Sequence, residues 1–228
     1  MHRVYPLIIA ALLALLLAGC GSSNNSMSTA APQLSPSPSE QPSESTPNNS
    51  ATSSNGSEEL DDTSTALKNA AEAVIELLRE RDLESLTPWI DSKKGLRFSP
   101  YTYIHADSDL VFKPAELPTF KDTSKLLWGT ADGSGDPIEL SFRDYYERYV
   151  YNQDFAVAPH VSVNETLAKG SMLFNLKEVY PDASYVEFYF PGFDKASEGL
   201  DWQSLMLVFE PSNEEWKLVA IVHGQWTV

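Results

Sequence analysis

Residues 201–226 read DWQSLMLVFEPSNEEWKLVAIVHGQW. Two long apolar runs, Trp202 to Glu210 and Glu215 to Trp226, flank Pro211-Ser212-Asn213-Glu214. Branched and aromatic side chains suit a pleated surface, and Pro, Ser and Asn suit a reversal, so the stretch predicts an antiparallel hairpin. Upstream, Tyr185 to Phe190 has the same composition and is stopped by Pro191-Gly192, which adds a third strand. The C-terminal third therefore reads as a meander of sheet.

Working toward the N-terminus, the period changes from two to 3.6. Leu67, Ala70, Ala71, Val74, Leu77 and Leu78 form one apolar helical face, with Glu72, Glu76 and Glu80 on another. Asp61, Asp62, Thr63 and Ser64 supply capping groups and negative charge for its start. Asp82 opens a shorter helix carrying Leu83, Leu86 and Ile90, disturbed by Pro88-Trp89, and Leu96 to Ile104 alternates like an extended segment. Ser141 and Asp144 make a capping pair for a third helix, whose Phe142, Tyr145, Tyr146, Tyr149 and Val150 recur at i, i+3, i+4, i+7 and i+8. Such an aromatic face belongs in a core, with tyrosine hydroxyls available to line a cavity.

Leu126-Leu127-Trp128 and Ile138-Glu139-Leu140 flank Asp132-Gly133-Ser134-Gly135-Asp136 as a second hairpin. Read as a calcium loop, that turn places Pro137 where glycine is needed and Arg143 where the bidentate Glu is needed, so it predicts a plain turn and no metal.

The first residues carry a different kind of information. Arg3 precedes an unbroken apolar stretch from Leu7 to Leu17, far short of the roughly 20 residues that cross a bilayer as a helix. Ala18 and Gly19 then precede Cys20, the one cysteine of the chain. This arrangement resembles the bacterial lipobox, which implies cleavage before Cys20 and acylation of its thiol by palmitate-type chains. Each buried CH₂ contributes about 0.8 kcal/mol, so two or three acyl chains hold a protein on a membrane without a spanning helix. The expected partner is the lipid bilayer, and the expected location is the cell membrane, lipid-anchored on its extracytoplasmic face. Gly21 stands where an inner-membrane retention signal would carry Asp. With Cys20 acylated, no thiol remains for a disulfide.

Residues 1–19 are thus read as a lipoprotein signal peptide. Residues 20–60 are read as the lipidated cysteine and a disordered Ser/Pro/Asn-rich linker, and residues 61–228 as the folded domain. The linker has too few apolar residues to bury a core, and at about 40 residues it spans some 30–40 Å.

The formal charge of −16 excludes nucleic acid, whose phosphates require a basic patch. It suits solubility at an anionic cell surface, the alternative being an acidic site for cations or basic partners.

The element order, two helices, an extended segment, a further helix and a terminal meander, resembles the NTF2-like (cystatin-like) α+β cone. That resemblance implies N-terminal helices packed on a curved antiparallel sheet, with a cavity at the wide end. Gly95-Leu96-Arg97-Phe98-Ser99-Pro100-Tyr101, Trp128-Gly129, Asp132-Gly133-Ser134-Gly135, Asp201-Trp202 and Val222-His223-Gly224-Gln225-Trp226 are similar in wording to a family of bacterial lipoprotein domains. That family brings no assigned reaction, so it implies no catalytic residues.

For acid–base chemistry in such a cone the candidates are His223 with Asp201 or Glu187, alongside His105 and His160. Burial and a partner carboxylate together tune a histidine toward general-base work. For binding, the candidates are Tyr101, Tyr103, Tyr189 and Trp226, with Tyr180 as a further hydroxyl. The chain contains no Gly-x-Ser-x-Gly elbow, P-loop, His-Glu-x-x-His or GxGxxG, and no cofactor is expected. Two classes follow. One is a tethered module that binds a small ligand or an envelope protein; the other is an acid–base enzyme of isomerase, dehydratase or hydrolase type. The missing catalytic set favours the first.

Overall fold

The computed structural model describes residues 55–168, 174–213 and 215–227. The signal peptide, Cys20 and the linker as far as residue 54 lie outside the described residues.

Helix α1 spans Asn55–Glu80. Residues 55–60, assigned to the linker above, are therefore helical, and Asp61, Asp62, Thr63 and Ser64 lie inside the helix, not at its cap. Leu67, Ala70, Ala71, Val74, Ile75 and Leu78 are buried. Ile75 widens the predicted face, while Leu77 is only half-buried. Asp82 caps α2 (Leu83–Leu86), its carboxylate accepting from Ser85 N–H at 3.0 Å, and a 3₁₀ turn at Thr87–Trp89 carries Pro88 at its start.

Strand β1 (Leu96–Ser99) is shorter than the extended segment predicted, and β2 (Val111–Phe112) pairs with it. The hairpin of β3 (Leu126–Thr130) and β4 (Pro137–Leu140) stands apart from the main sheet. Its acidic turn is closed from within: Gly135 N–H donates to Ala131 O at 2.8 Å and Asp136 N–H to Ser134 Oγ at 3.2 Å.

Helix α3 (Phe142–Tyr145) is capped by Ser141, whose Oγ accepts from Asp144 N–H at 3.2 Å. It continues as a π turn over Tyr146–Val150, with Tyr151 N–H reaching Tyr146 O at 2.8 Å. The wider turn lets the whole aromatic face bury, Phe142, Tyr145, Tyr146, Tyr149 and Val150 together.

Among the described residues the main sheet has six strands in the order β2-β1-β8-β7-β6-β5 and is open at both edges. β5 spans His160–Val163, β6 Ser184–Phe190, β7 Gln203–Ser212 and β8 Glu215–Gln225. A short helix α4 (Leu176–Val179) precedes β6. The expected meander is present, with Ser212 opposite Glu215 at the hairpin end. The sheet is mixed and not wholly antiparallel: β1 runs parallel to β8, with Phe98 opposite Ile221. Such a pair needs a long connection, which the chain between β1 and β8 supplies.

Both faces of the sheet are covered. On one, α1, α3 and the β3–β4 hairpin enclose an aromatic core. Trp128 stacks on Tyr145 (3.8 Å between centroids, 14°) and donates its indole N–H to Leu140 O at 2.9 Å. Phe98 packs edge-on to Trp128, Phe142 and Tyr145. On the other face a smaller core joins Leu176, Tyr180, Tyr185, Met206, Val208 and Val222.

Candidate functional site

Strand parity decides what the candidate residues can do together. Between β7 and β8 the register slips: Val208 faces Ala220 while Phe209 faces Leu218, so Val219 is the extra residue of a bulge. Beyond the bulge Ile221 belongs to the aromatic core and Val222 to the smaller one. His223 therefore shares the aromatic face, its ring edge-on to Tyr149 at 5.8 Å. It is fully buried, Nε2 meets Gln225 Oε1 at 3.4 Å, and Nδ1 has no hydrogen-bond partner among the described residues. Burial lowers its pKa to about 4, against the raising effect of Gln225, so the imidazole is neutral.

Glu187 lies on the opposite face. It faces Met206 across β7, between Val186 and Phe188 of the aromatic core. It is equally buried, and Oε2 accepts from Leu167 N–H at 2.5 Å while Oε1 has no partner among the described residues. Burial pushes its pKa up, partly opposed by that N–H. The thickness of the sheet separates Glu187 from His223.

Asp201 sits in the loop before β7. Its Oδ2 accepts from Asp194 N–H at 2.7 Å and Phe193 N–H at 3.0 Å. Those backbone donors, Asp194 first, hold its carboxyl below the ordinary range. Gly192 (φ +145°) is needed here, because a Cβ would stand 2.8 Å from Asp201 Oδ1. Asp201 thus folds its own loop. None of the three acid–base candidates is brought to another.

The binding candidates divide differently. Tyr101 is buried in the aromatic core, edge-on to Tyr149 at 6.1 Å, and Tyr103 is exposed against His105 (4.9 Å). Tyr180 accepts from Arg97 Nε at 3.0 Å, and His160 is exposed on edge strand β5. Tyr189 and Trp226, however, meet in one open groove of about 330 Å³, lined also by Pro191, Glu198, Gly199, Leu200 and Trp202. Tyr189 and Trp202 lie 6.0 Å apart at 41°, forming its floor, while Trp226 is 37% exposed. Gly224 makes room for that floor: a Cβ there would lie 3.1 Å from Trp202 Cζ3 and 2.3 Å from Ser204 Oγ. A smaller recess of about 290 Å³ adjoins it, sharing Glu198 and Leu200 and adding Asp201. Glu198 and Leu200 were not among the candidates, since an exposed loop residue has no periodicity to mark it. Trp202 stands in the sequence as the start of a strand and in Asp201-Trp202, neither of which marks a ligand site. Among the described residues no group of three His, Cys, Asp or Glu side chains converges for a metal.

No protein-family model and no curated protein matches the chain. Among solved structures, a designed protein whose title carries the NTF2 label is similar at 12% identity, over 72% of this chain and 99% of its own, with a TM-score of 0.30. The class defined by the coordinates is a mixed α+β domain with an open, six-stranded curved sheet. No described helix is long and apolar enough to cross a membrane.

Proposed function

We propose that this chain is a lipid-anchored extracytoplasmic binding module. In this reading Cys20 carries the acyl chains, residues 21–54 are the tether, and the domain is an NTF2-like cone with α1 against one face of its sheet. A small ligand is held at the Tyr189–Trp202–Trp226 groove. The observation that carries the reading is the gathering of three aromatic side chains in one groove whose volume suits a small molecule. The separation of His223 from Glu187 and Asp201 favours binding over acid–base catalysis, because a general base needs its partner within hydrogen-bond reach.

The test is a native mass spectrum of the full chain taken from its host membrane in detergent. The expected result is a bound small molecule that Trp226→Ala releases. Turnover abolished by His223→Ala in a folded protein would overturn the reading. For the anchor, Cys20→Ser should release the protein from membranes and stop fatty-acid labelling; an unchanged mass and location would sink it.

A further inference from the structure

The groove's chemistry narrows its ligand. Its floor and one wall are aromatic, and among the described residues its lining contains no Lys, Arg or His. Among the described residues its one charged side chain is Glu198, and the adjoining recess adds Asp201, a carboxylate kept ionised by two backbone N–H groups. An aromatic ring carries a negative face, so rings plus carboxylates attract a cation. An ordinary ammonium is strongly hydrated and favours direct, short salt bridges, whereas a methylated ammonium sheds water readily and spreads its charge over an apolar surface. A chain carrying −16 repels anions and concentrates cations at such a groove.

A further detail points the same way. Glu198 adopts a left-handed backbone (φ +50°) at the end of the 3₁₀ turn Lys195–Ser197. Gly or Asn takes that conformation at lower cost, so a Glu there is held against a backbone preference.

We infer that the Tyr189–Trp202–Trp226 groove binds a quaternary ammonium group, the chemistry of a choline-type ligand. The inference rests on the binding reading above and specifies its ligand. The second groove, at Pro88, Trp89, Trp216 and Lys217, makes a contrast: its Lys217 ammonium is already paired with Glu215 at 2.7 Å and donates to Pro88 O at 3.1 Å.

The test is calorimetric titration of the detergent-purified full chain with choline, with phosphocholine, and with 3,3-dimethylbutanol, the neutral isostere of choline. Choline should bind about tenfold or more tightly than the isostere, as expected for a cation over rings. Trp226→Ala should abolish that binding and Trp89→Ala should leave it unchanged. Glu198→Asn should weaken choline binding about tenfold while raising the melting temperature, a pairing that a merely structural Glu198 would not give. Tighter binding of phosphocholine than choline would identify a lipid headgroup as the source, and the reverse a free amine; both uphold the inference. Equal binding of choline and its isostere, or binding of a neutral sugar alone, overturns the ammonium inference and leaves the groove as a ligand site. Heat from no ligand, with no small molecule in the native spectrum, overturns both.

Discussion

The two faces of the six-stranded sheet solve the same problem in different ways. One is covered by α1, α3 and the β3–β4 hairpin, and the space between is filled by rings that meet at about 4–6 Å. The other is covered by α4 and by loops, and its core is smaller. Regular helices present a continuous apolar stripe and close completely, whereas loops turn polar backbone toward water and leave recesses. The groove opens on the second face, where Tyr189 and Trp202 are roofed by the loop through Glu198 and not by a helix. The first face also buries His223 and the second Glu187.

The largest expected effect tests how far the first face depends on its rings. Trp128→Ala removes the partner that stacks on Tyr145 and should cost about 3–5 kcal/mol in urea unfolding. A loss below about 1 kcal/mol would mean the hairpin is not part of the cooperative core.

Next in size is the pH response, in which the two faces should oppose one another. The unfolded chain takes up a proton on His223 near pH 6.5, while the folded chain does so only near pH 4. Stability therefore falls as pH drops through that window, by at most on the order of 3 kcal/mol. Glu187 works in the other direction. Its folded pKa lies above the unfolded 4.5, so its protonated form supports the fold at low pH and that support is lost as pH rises through the folded value. His223→Leu should flatten the acid-side loss, and Glu187→Gln should raise stability at neutral pH. Urea midpoints at pH 4.5, 5.5 and 7 separate the two, and identical slopes in both variants would show that neither group titrates differently in the folded and unfolded chain.

How much of this was legible in the sequence differs between the faces. The meander, the acidic hairpin turn and the aromatic stripe of α3 follow from local period and turn chemistry, and the structure has all three. Three other features do not follow from local pattern. The parallel pairing of β1 with β8 joins segments more than a hundred residues apart. The π turn at Tyr146–Val150 costs backbone regularity that only burial of Tyr149 and Val150 compensates. The bulge at Val219 inverts the parity of everything after it in β8, so alternation counted from Leu218 places His223 on the wrong face. That inversion is why a histidine and a carboxylate near one end of one sheet do not form a pair. The groove was half legible: Tyr189 and Trp226 are conspicuous aromatics, but Glu198 and Leu200 enter it through loop geometry that no period encodes.

A smaller effect should come from the second face. Gly224→Ala drives a Cβ to 2.3 Å from Ser204 Oγ and 3.1 Å from Trp202 Cζ3, and should cost about 1–3 kcal/mol. Adding Ser204→Ala removes the closer clash, so the double variant should be more stable than Gly224→Ala alone. Strict additivity of the two substitutions would show that the contact does not set the packing of Trp202.

The smallest effect asks whether the helical cover of the first face is held by its cap or by its rings. Ser141 Oγ accepts from Asp144 N–H and donates to Asp144 Oδ2 at 2.7 Å, so Ser141→Ala leaves one amide of the first turn without its partner. The expected cost is about 1 kcal/mol. If the cap sets the position of the π turn, Tyr149 loosens over His223, water reaches the imidazole, and its pKa rises from about 4 toward the ordinary value in an NMR titration. If packing alone sets it, the stability loss appears with no movement of that titration. The second result is the expected one, because Phe142, Tyr145 and Tyr146 each lock the segment against separate rings of the core.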